Sequence, residues 1–233
     1  MNPEKNSKEH KKPWPTKAAM EQVYTMKLWG GNTAHYYSGD GSHLPELVNP
    51  YIEAVTTFLK SFENPLTVVD LGCGDFNIGD SLVQHTKKYI AVDIVPDLIK
   101  HNIEKFKTAN LEFYCLDLAK DALPQGDCAI LRQVLQHISN TEVLEIIKKL
   151  HAYKYVIVTE HIPKEPFIPN KDIISGQGIR LKKQSGIHLL EPPFNWIVKN
   201  ERQLLSIPLA HGKGLIVTTL YEVFKARLRF PAK

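Results

Sequence analysis

The residues best suited to bind a ligand are concentrated in one stretch, residues 68–79, VVDLGCGDFNIG. An apolar pair, Val68 and Val69, closes on an acid, Asp70. The chain then passes at once through Gly72, Cys73, Gly74 and Asp75 before helix-compatible residues resume at Ile78. This is the pattern of a strand, a tight turn and a helix start. Glycines in such a turn accept a left-handed backbone and let a ligand approach the main chain, while the helix start offers unpaired N–H groups to a polar or anionic group. The chemistry it suits is nucleotide binding. A second acid, Asp93, ends the apolar run YIAVD 19 residues after Gly74. An acid at the carboxyl end of the next parallel strand, about 20 residues beyond the turn, is placed to accept hydrogen bonds from ribose hydroxyls.

Spacing narrows the choice of nucleotide. The dinucleotide fingerprint G-x-G-x-x-G requires glycine at position 77, which is Asn77, and the GK[ST] ending of a phosphate-cradling loop is missing. The stretch resembles motif I of the class I S-adenosylmethionine-dependent methyltransferases, acid-x-Gly-x-Gly-x-Gly, with Asp70, Gly72 and Gly74 in register. It departs from that motif at the third glycine, where this chain has Phe76. The resemblance covers roughly residues 60 to 225. It implies S-adenosyl-L-methionine as cofactor and a Rossmann-like α/β fold: a seven-stranded, mostly parallel sheet with helices on both faces and a C-terminal antiparallel hairpin. It also implies that Asp117, just after the third strand run LEFYCLD, contacts the adenine amino group. The neighbours Ile94 and Leu118 are grouped with Asp93 and Asp117 on the cofactor side. WGG…YYSGDGSH and RQVLQHISN further resemble a bacterial branch of small methyltransferases, for which small-molecule or glycan-type acceptors are expected.

Methyl transfer from a sulfonium is an in-line attack on a carbon that already bears a good leaving group. The protein therefore contributes positioning and, where the nucleophile carries a proton, a base. In open α/β sheets ligands sit outside the carboxyl ends of the strands, where this chain has Asp75, Arg132, Gln133, His137, Glu160 and His161. His137 is the first candidate base, since an imidazole near its ordinary pKa can take a proton at neutral pH; packing or capping on its helix is the competing reading. Glu160 and His161, after the fifth strand, come second, with a structural role open for the acid. Arg180, in a Gly-rich segment, is a candidate for fixing a substrate carboxylate or phosphate, or else a surface cation. Trp29, Tyr36 and Tyr37 are candidates for cofactor or substrate contact, because aromatic faces attract a sulfonium; packing is the alternative for Trp29.

The elements that must position these residues alternate. Helical spacing is read over 16–28, with Thr16 as N-cap, and over 47–62, with Pro50 near the first turn. Strands are expected at 66–70, 89–93, 111–117, 127–132 and 156–162, separated by helical patterns, among them one after Arg132 with Ser139 and Asn140 as caps. A hairpin follows over 201–224. The fifteen residues WGGNTAHYYSGDGSH are read as a lid, and the Pro- and Gly-rich 163–196 as a substrate insertion. Residues 16–233 thus form one domain, with a lid over about 16–46.

At 233 residues, 43% of them hydrophobic and 23% charged, the chain has the composition of a single globular domain with a substantial core. No apolar run reaches membrane-spanning length and the amino-terminal stretch has no apolar signal segment, so a cytoplasmic protein without membrane contact is expected. Cys73, Cys115 and Cys128 lack C-x-x-C spacing, which gives no support to a zinc site or a disulfide framework. The formal charge is +4, and Lys5, Lys8, Lys11, Lys12 and Lys17 cluster in a tail over 1–15 that is expected to be disordered. That tail is read as a solvated arm. A nucleic-acid methyltransferase, and a non-catalytic S-adenosylmethionine-binding protein, are the alternatives to an enzyme acting on a small molecule.

Overall fold

The computed structural model describes residues 13–31 and 36–224. Most of the basic tail (1–12) and the centre of the expected lid (32–35) lie outside the described residues. Seven strands form one sheet: β1 Thr67–Leu71, β2 Lys88–Asp93, β3 Leu111–Cys115, β4 Cys128–Arg132, β5 Tyr155–Ile162, β6 Asn200–Pro208 and β7 Leu215–Glu222. Their order is β3-β2-β1-β4-β5-β7-β6. The pairs from β3 to β5 are parallel, and β7 runs antiparallel to both β5 and β6. The central strands are buried on both faces, which is why they read as continuous apolar runs.

Each face carries its own core. On one face, β1 presents Val68 to α2 (Pro45–Lys60) and α3 (Gly79–Val83), where Tyr51, Val55, Phe58 and Leu82 pack. On the other, Val69 and Leu71 meet Val23 of α1 (Thr16–Thr25), Leu98 of α4 (Pro96–Lys105) and the apolar stripe Val143, Ile146, Ile147 and Leu150 of α5 (Asn140–Leu150).

Several boundaries differ from the sequence expectation for local reasons. Thr16 does not cap α1; Pro15 holds that position, and the Thr16 hydroxyl donates to Glu142 on α5 instead. Because Pro45 opens α2, Pro50 lies inside the helix and not in its first turn. The expected helix after β4 is divided into a 3₁₀ turn, Leu135–His137, and α5. The divider is Ser139, whose hydroxyl and backbone N–H engage Glu142 in a capping box. Residues 163–196 hold one short 3₁₀ turn, Arg180–Lys183, and are otherwise irregular, as expected.

Phe76 stands where the third motif glycine is missing, and its backbone still takes a left-handed conformation, φ +63°. Its ring is fully buried on the α2 face, against Tyr89, Phe106 and Phe113 at centroid distances of 5.6, 5.0 and 4.9 Å. Gly79 makes room for it, since a Cβ there would stand 2.2 Å from the ring.

Candidate functional site

The site is built at the carboxyl ends of β1, β2 and β4. Gly72 (φ +92°) turns the chain sharply, and the N–H groups of Gly72 and Cys73 both donate to the Val92 carbonyl, tying the turn to β2. The Asp93 carboxylate accepts from Gly74 N–H at 3.0 Å and Val95 N–H at 3.1 Å. The buried Asn102 of α4 donates its amide to the Gly74 carbonyl at 2.8 Å. These bonds fix the turn above a cavity of about 440 Å³. Gly72, Cys73, Gly74, Asp93, Ile94, Asp117, Leu118, Arg132 and Trp29 all line it, as does Asp70.

The acids in this site are held differently. Burial pushes the Asp70 carboxyl up to about 7, against the hydrogen bond that Tyr89 Oη donates to it at 2.9 Å. Burial raises Asp93 as well, opposed by its backbone donors. Asp117 lies nearer the surface, accepting from Ala119 N–H at 3.0 Å and Lys120 Nζ at 2.7 Å.

One wall of the cavity is the loop 36–43, bonded to the glycine turn. Asp75 accepts from Ser38 N–H (2.9 Å) and contacts His43 Nε2 (2.6 Å), while its own N–H donates to Ser38 Oγ (2.8 Å). Asn77 donates to the Ser42 carbonyl (2.7 Å), and Arg132 to the Gly41 carbonyl (2.5 Å) and Ser42 Oγ (3.3 Å). Asp75 therefore anchors the loop and does not line the cavity. Tyr36 and Tyr37 do not line it either. Tyr36 packs on His101 and Tyr24, and Tyr37 stacks on His43 at 4.3 Å while its hydroxyl donates to Asp40. Trp29 reaches the cavity between Tyr24 and His137, at ring distances of 5.4 and 5.0 Å.

The candidate bases are tied into the scaffold. Gln136 accepts the His161 N–H on Oε1 at 3.0 Å, so its amide nitrogen faces His137 Nε2 at 3.2 Å and donates to it. His137 is then the neutral Nδ1–H tautomer. Burial lowers its pKa to about 4, and its only lone pair is engaged, which removes it as a free base. Glu160 is buried and points away from the cavity, accepting the N–H groups of Leu135 (3.0 Å) and Gln136 (2.9 Å). His161 sits outside the cavity and donates to the Lys213 carbonyl. Arg180 is 1% exposed, neither a surface cation nor a cavity residue; it donates to the carbonyls of Leu135 and Ile138, both at 2.8 Å, and to Asn140 Oδ1 at 2.7 Å. Glu160 and Arg180 thus clamp the 3₁₀ turn from opposite polarities. They position Val134 and His137 at the cavity, and nothing places them against a substrate.

Sequence reasoning missed Tyr24, Ser38, Tyr51 and Gln177, which also line the cavity. Tyr51 carried no distinguishing signal, because it lies on the apolar stripe of α2. Its hydroxyl and Arg132 Nε are buried polar atoms without a hydrogen-bond partner among the described residues, and the Arg132 guanidinium lies over the Tyr51 ring. Orphaned polar atoms, a ribose-type acid and flanking apolar side chains fit an adenosyl cofactor with a charged tail.

The sheet order, the terminal antiparallel pair and the acid-flanked glycine turn define a Rossmann-like fold of methyltransferase type. Residues 68–153 match the family model described as a methyltransferase domain. Over that segment the chain is similar to methyltransferase domains. Its fold is similar to the N-methyltransferase NodS from Bradyrhizobium japonicum, in complex with S-adenosyl-L-homocysteine (TM-score 0.63, 10% identity, 86% of this chain and 98% of that one). It is similar also to magnesium protoporphyrin IX methyltransferase from Synechocystis with bound S-adenosylmethionine (TM-score 0.57, 14% identity, 90% and 98%). A curated relative, an uncharacterized RNA methyltransferase of Chlamydia pneumoniae, is 29% identical over 168 residues, 67% of this chain. The chain spans about two fifths (41%) of that relative's length. Among the described residues no helix is long and apolar enough to cross a membrane.

Proposed function

We propose that the chain is a methyltransferase that uses S-adenosylmethionine to methylate a small-molecule or glycan-type acceptor. The observation that carries this reading is the cavity itself. It lies at the strand ends, walled by Ser38 to Ser42 on one side and bordered by Gln177, Ile179 and Lys182 on another, so an acceptor must fit beneath these loops. Asp93 would hold the ribose, and Ile94 and Leu118 would flank the adenine beside Asp117. When bound, the cofactor supplies an electrophilic methyl group on a sulfonium. The chain's own part is to orient the two reactants and exclude water, with Trp29 offering an aromatic wall to a cation. Since the His137 lone pair is engaged, the acceptor brings its own lone pair or reaches the site already ionised. Loop 36–43 acts as a lid that opens for exchange.

The test combines calorimetry and turnover. Expected are binding of S-adenosylmethionine and S-adenosylhomocysteine, no comparable binding of NAD, and release of S-adenosylhomocysteine with one class of a small-molecule and glycan panel. Cofactor binding no tighter than NAD refutes the reading; binding without turnover favours a non-catalytic protein. A second reading, methyl transfer to RNA, draws support from the Chlamydia relative's name and the lysines near the amino terminus. It predicts turnover on RNA alone, with affinity that falls steeply as salt rises.

A further inference from the structure

The wall of the cavity formed by the 3₁₀ turn Leu135–His137 and residues 177–182 is one clamped unit. Arg180 holds the Leu135 and Ile138 carbonyls, both at 2.8 Å, and Gly176 N–H donates to the His137 carbonyl at 2.9 Å. His137 and Lys182 both line the cavity there. The hydrogen-bonding groups left over on this wall and on the facing lid are unbalanced. Acceptors are already used: the Glu142 carboxylate receives the hydroxyls of Thr16, Ser139 and Ser175. On the lid, the carbonyls of Gly39, Gly41 and Ser42 receive Ser42 N–H, Arg132 and Asn77. Donors remain. Because the Gln136 amide donates to Nε2, His137 carries its proton on Nδ1, a buried atom with no hydrogen-bond partner among the described residues. The carbonyls of Gly176, Gln177 and Gly178 lie beside the ring, and none completes a hydrogen bond to Nδ1. Lys182 is exposed at the cavity border and, among the described residues, has no carboxylate within ion-pair distance. A buried donor without an acceptor is costly and rare, and one that neither the chain nor water satisfies is left for a lone pair brought by a ligand.

We infer that the acceptor carries an anionic oxygen group, a carboxylate or a phosphate ester, which takes a hydrogen bond from His137 Nδ1–H and pairs with Lys182. The inference rests on the methyltransferase reading above and narrows its substrate class to acidic small molecules and acidic glycans. A cationic group at the same place would meet donors alone. The Trp29 ring, 5.0 Å from that of His137, gives the apolar part of such an acceptor a face to pack on. His137 then serves the reaction through its donor nitrogen, fixing the acceptor's anionic group while the acceptor supplies its own nucleophilic lone pair.

The test is calorimetry on the full chain saturated with S-adenosylhomocysteine, titrated with benzoate, phenyl phosphate and the neutral benzamide. At least one anion is expected to bind about tenfold or more tightly than benzamide, and the tighter of the two tells a carboxylate acceptor from a phosphate one. Lys182→Met should lower that preference about fivefold, a modest effect because the side chain is exposed. His137→Ala should lower it about tenfold, whereas His137→Asn, whose amide nitrogen can stand where Nδ1 stands, should retain most of it. None of the three should change S-adenosylhomocysteine affinity more than about twofold, which separates the effect from misfolding. Benzamide binding as well as the anions, no measurable binding of either anion, or a preference that Lys182→Met leaves intact overturns the inference while the cofactor reading stands. Turnover on RNA and on no small anion overturns it as well. If S-adenosylhomocysteine itself does not bind, the cofactor reading falls and the inference falls with it.

Discussion

Phe76 offers a measurement of what the missing glycine costs. Its buried ring meets three aromatic neighbours, so truncation to alanine should cost about 3–5 kcal/mol of stability. Truncation to glycine loses the same contacts. It also frees the unfolded chain, which ordinarily leaves a glycine variant about 0.5–1 kcal/mol below the alanine one. At φ +63°, however, alanine retains a left-handed backbone costing about 1–2 kcal/mol, which glycine does not. The two effects oppose, and the second is larger. Phe76→Gly is therefore expected to be more stable than Phe76→Ala by about 0.5–1 kcal/mol, the reverse of the usual order. Urea unfolding of both variants, followed by tryptophan fluorescence with equal m-values, reads this directly. Because the ring faces away from the cavity, the affinity of the folded variants for S-adenosylhomocysteine should stay within about threefold of wild type. An alanine variant more stable than the glycine variant would show that the backbone is not left-handed in solution, and would refute the reasoning.

Asp93→Ala removes a carboxylate that lines the cavity and also receives Gly74 and Val95 N–H; cofactor affinity by calorimetry should drop about 100-fold, and an unchanged value would exclude the ribose assignment. Arg180→Met strands the buried carbonyls of Leu135 and Ile138 and should lower stability in urea by about 3 kcal/mol, whereas a loss below about 1 kcal/mol would contradict the clamp on the 3₁₀ turn. The raised pKa of Asp70, about 7 against an ordinary 3.8, means that its contribution to stability is complete below about pH 4 and is lost as pH rises through 7. Asp70→Asn should therefore gain on the wild type between pH 5 and pH 8, by up to about 3 kcal/mol as a ceiling; urea midpoints that differ equally at both pH values would refute it.

The cofactor half of the site was legible because it is local. Parallel strands buried on both faces announce themselves as apolar runs, and β1 and β2 lead into acids and glycines that line the cavity, so Asp70, Gly72, Gly74 and Asp93 could be placed by counting. Asp117 and Arg132 fell at the strand ends for the same reason. The residues that misled did so because their partners are distant in sequence. An acid after a strand and an arginine in a Gly-rich segment look like chemistry until Glu160 is seen to face the N–H groups, and Arg180 the carbonyls, of one 3₁₀ turn and its C-cap, 24 to 45 residues away. His137 is a sharper case. Whether it can act as a base depends on the orientation of the Gln136 amide, which the His161 N–H on β5 decides. Periodicity carries no such information, nor could it separate Tyr51 from its helix neighbours.

The same contrast explains why the acceptor is harder to read than the cofactor. The cofactor wall uses one continuous run of chain and the next strand end, joined by backbone hydrogen bonds to the Val92 carbonyl and the Asp93 carboxylate. The opposite wall is assembled from the end of α1, the loop 36–43 and residues 177–182, which meet only in the folded protein through bonds such as Gln177 Nε2 to the Leu28 carbonyl and Arg132 to Gly41. These contacts are partly exposed and individually weak, about 1 kcal/mol each, so this wall can open while the cofactor wall stays formed. A fold built this way can change its acceptor by altering loops without disturbing the turn, and it is in those loops that specificity has to be sought.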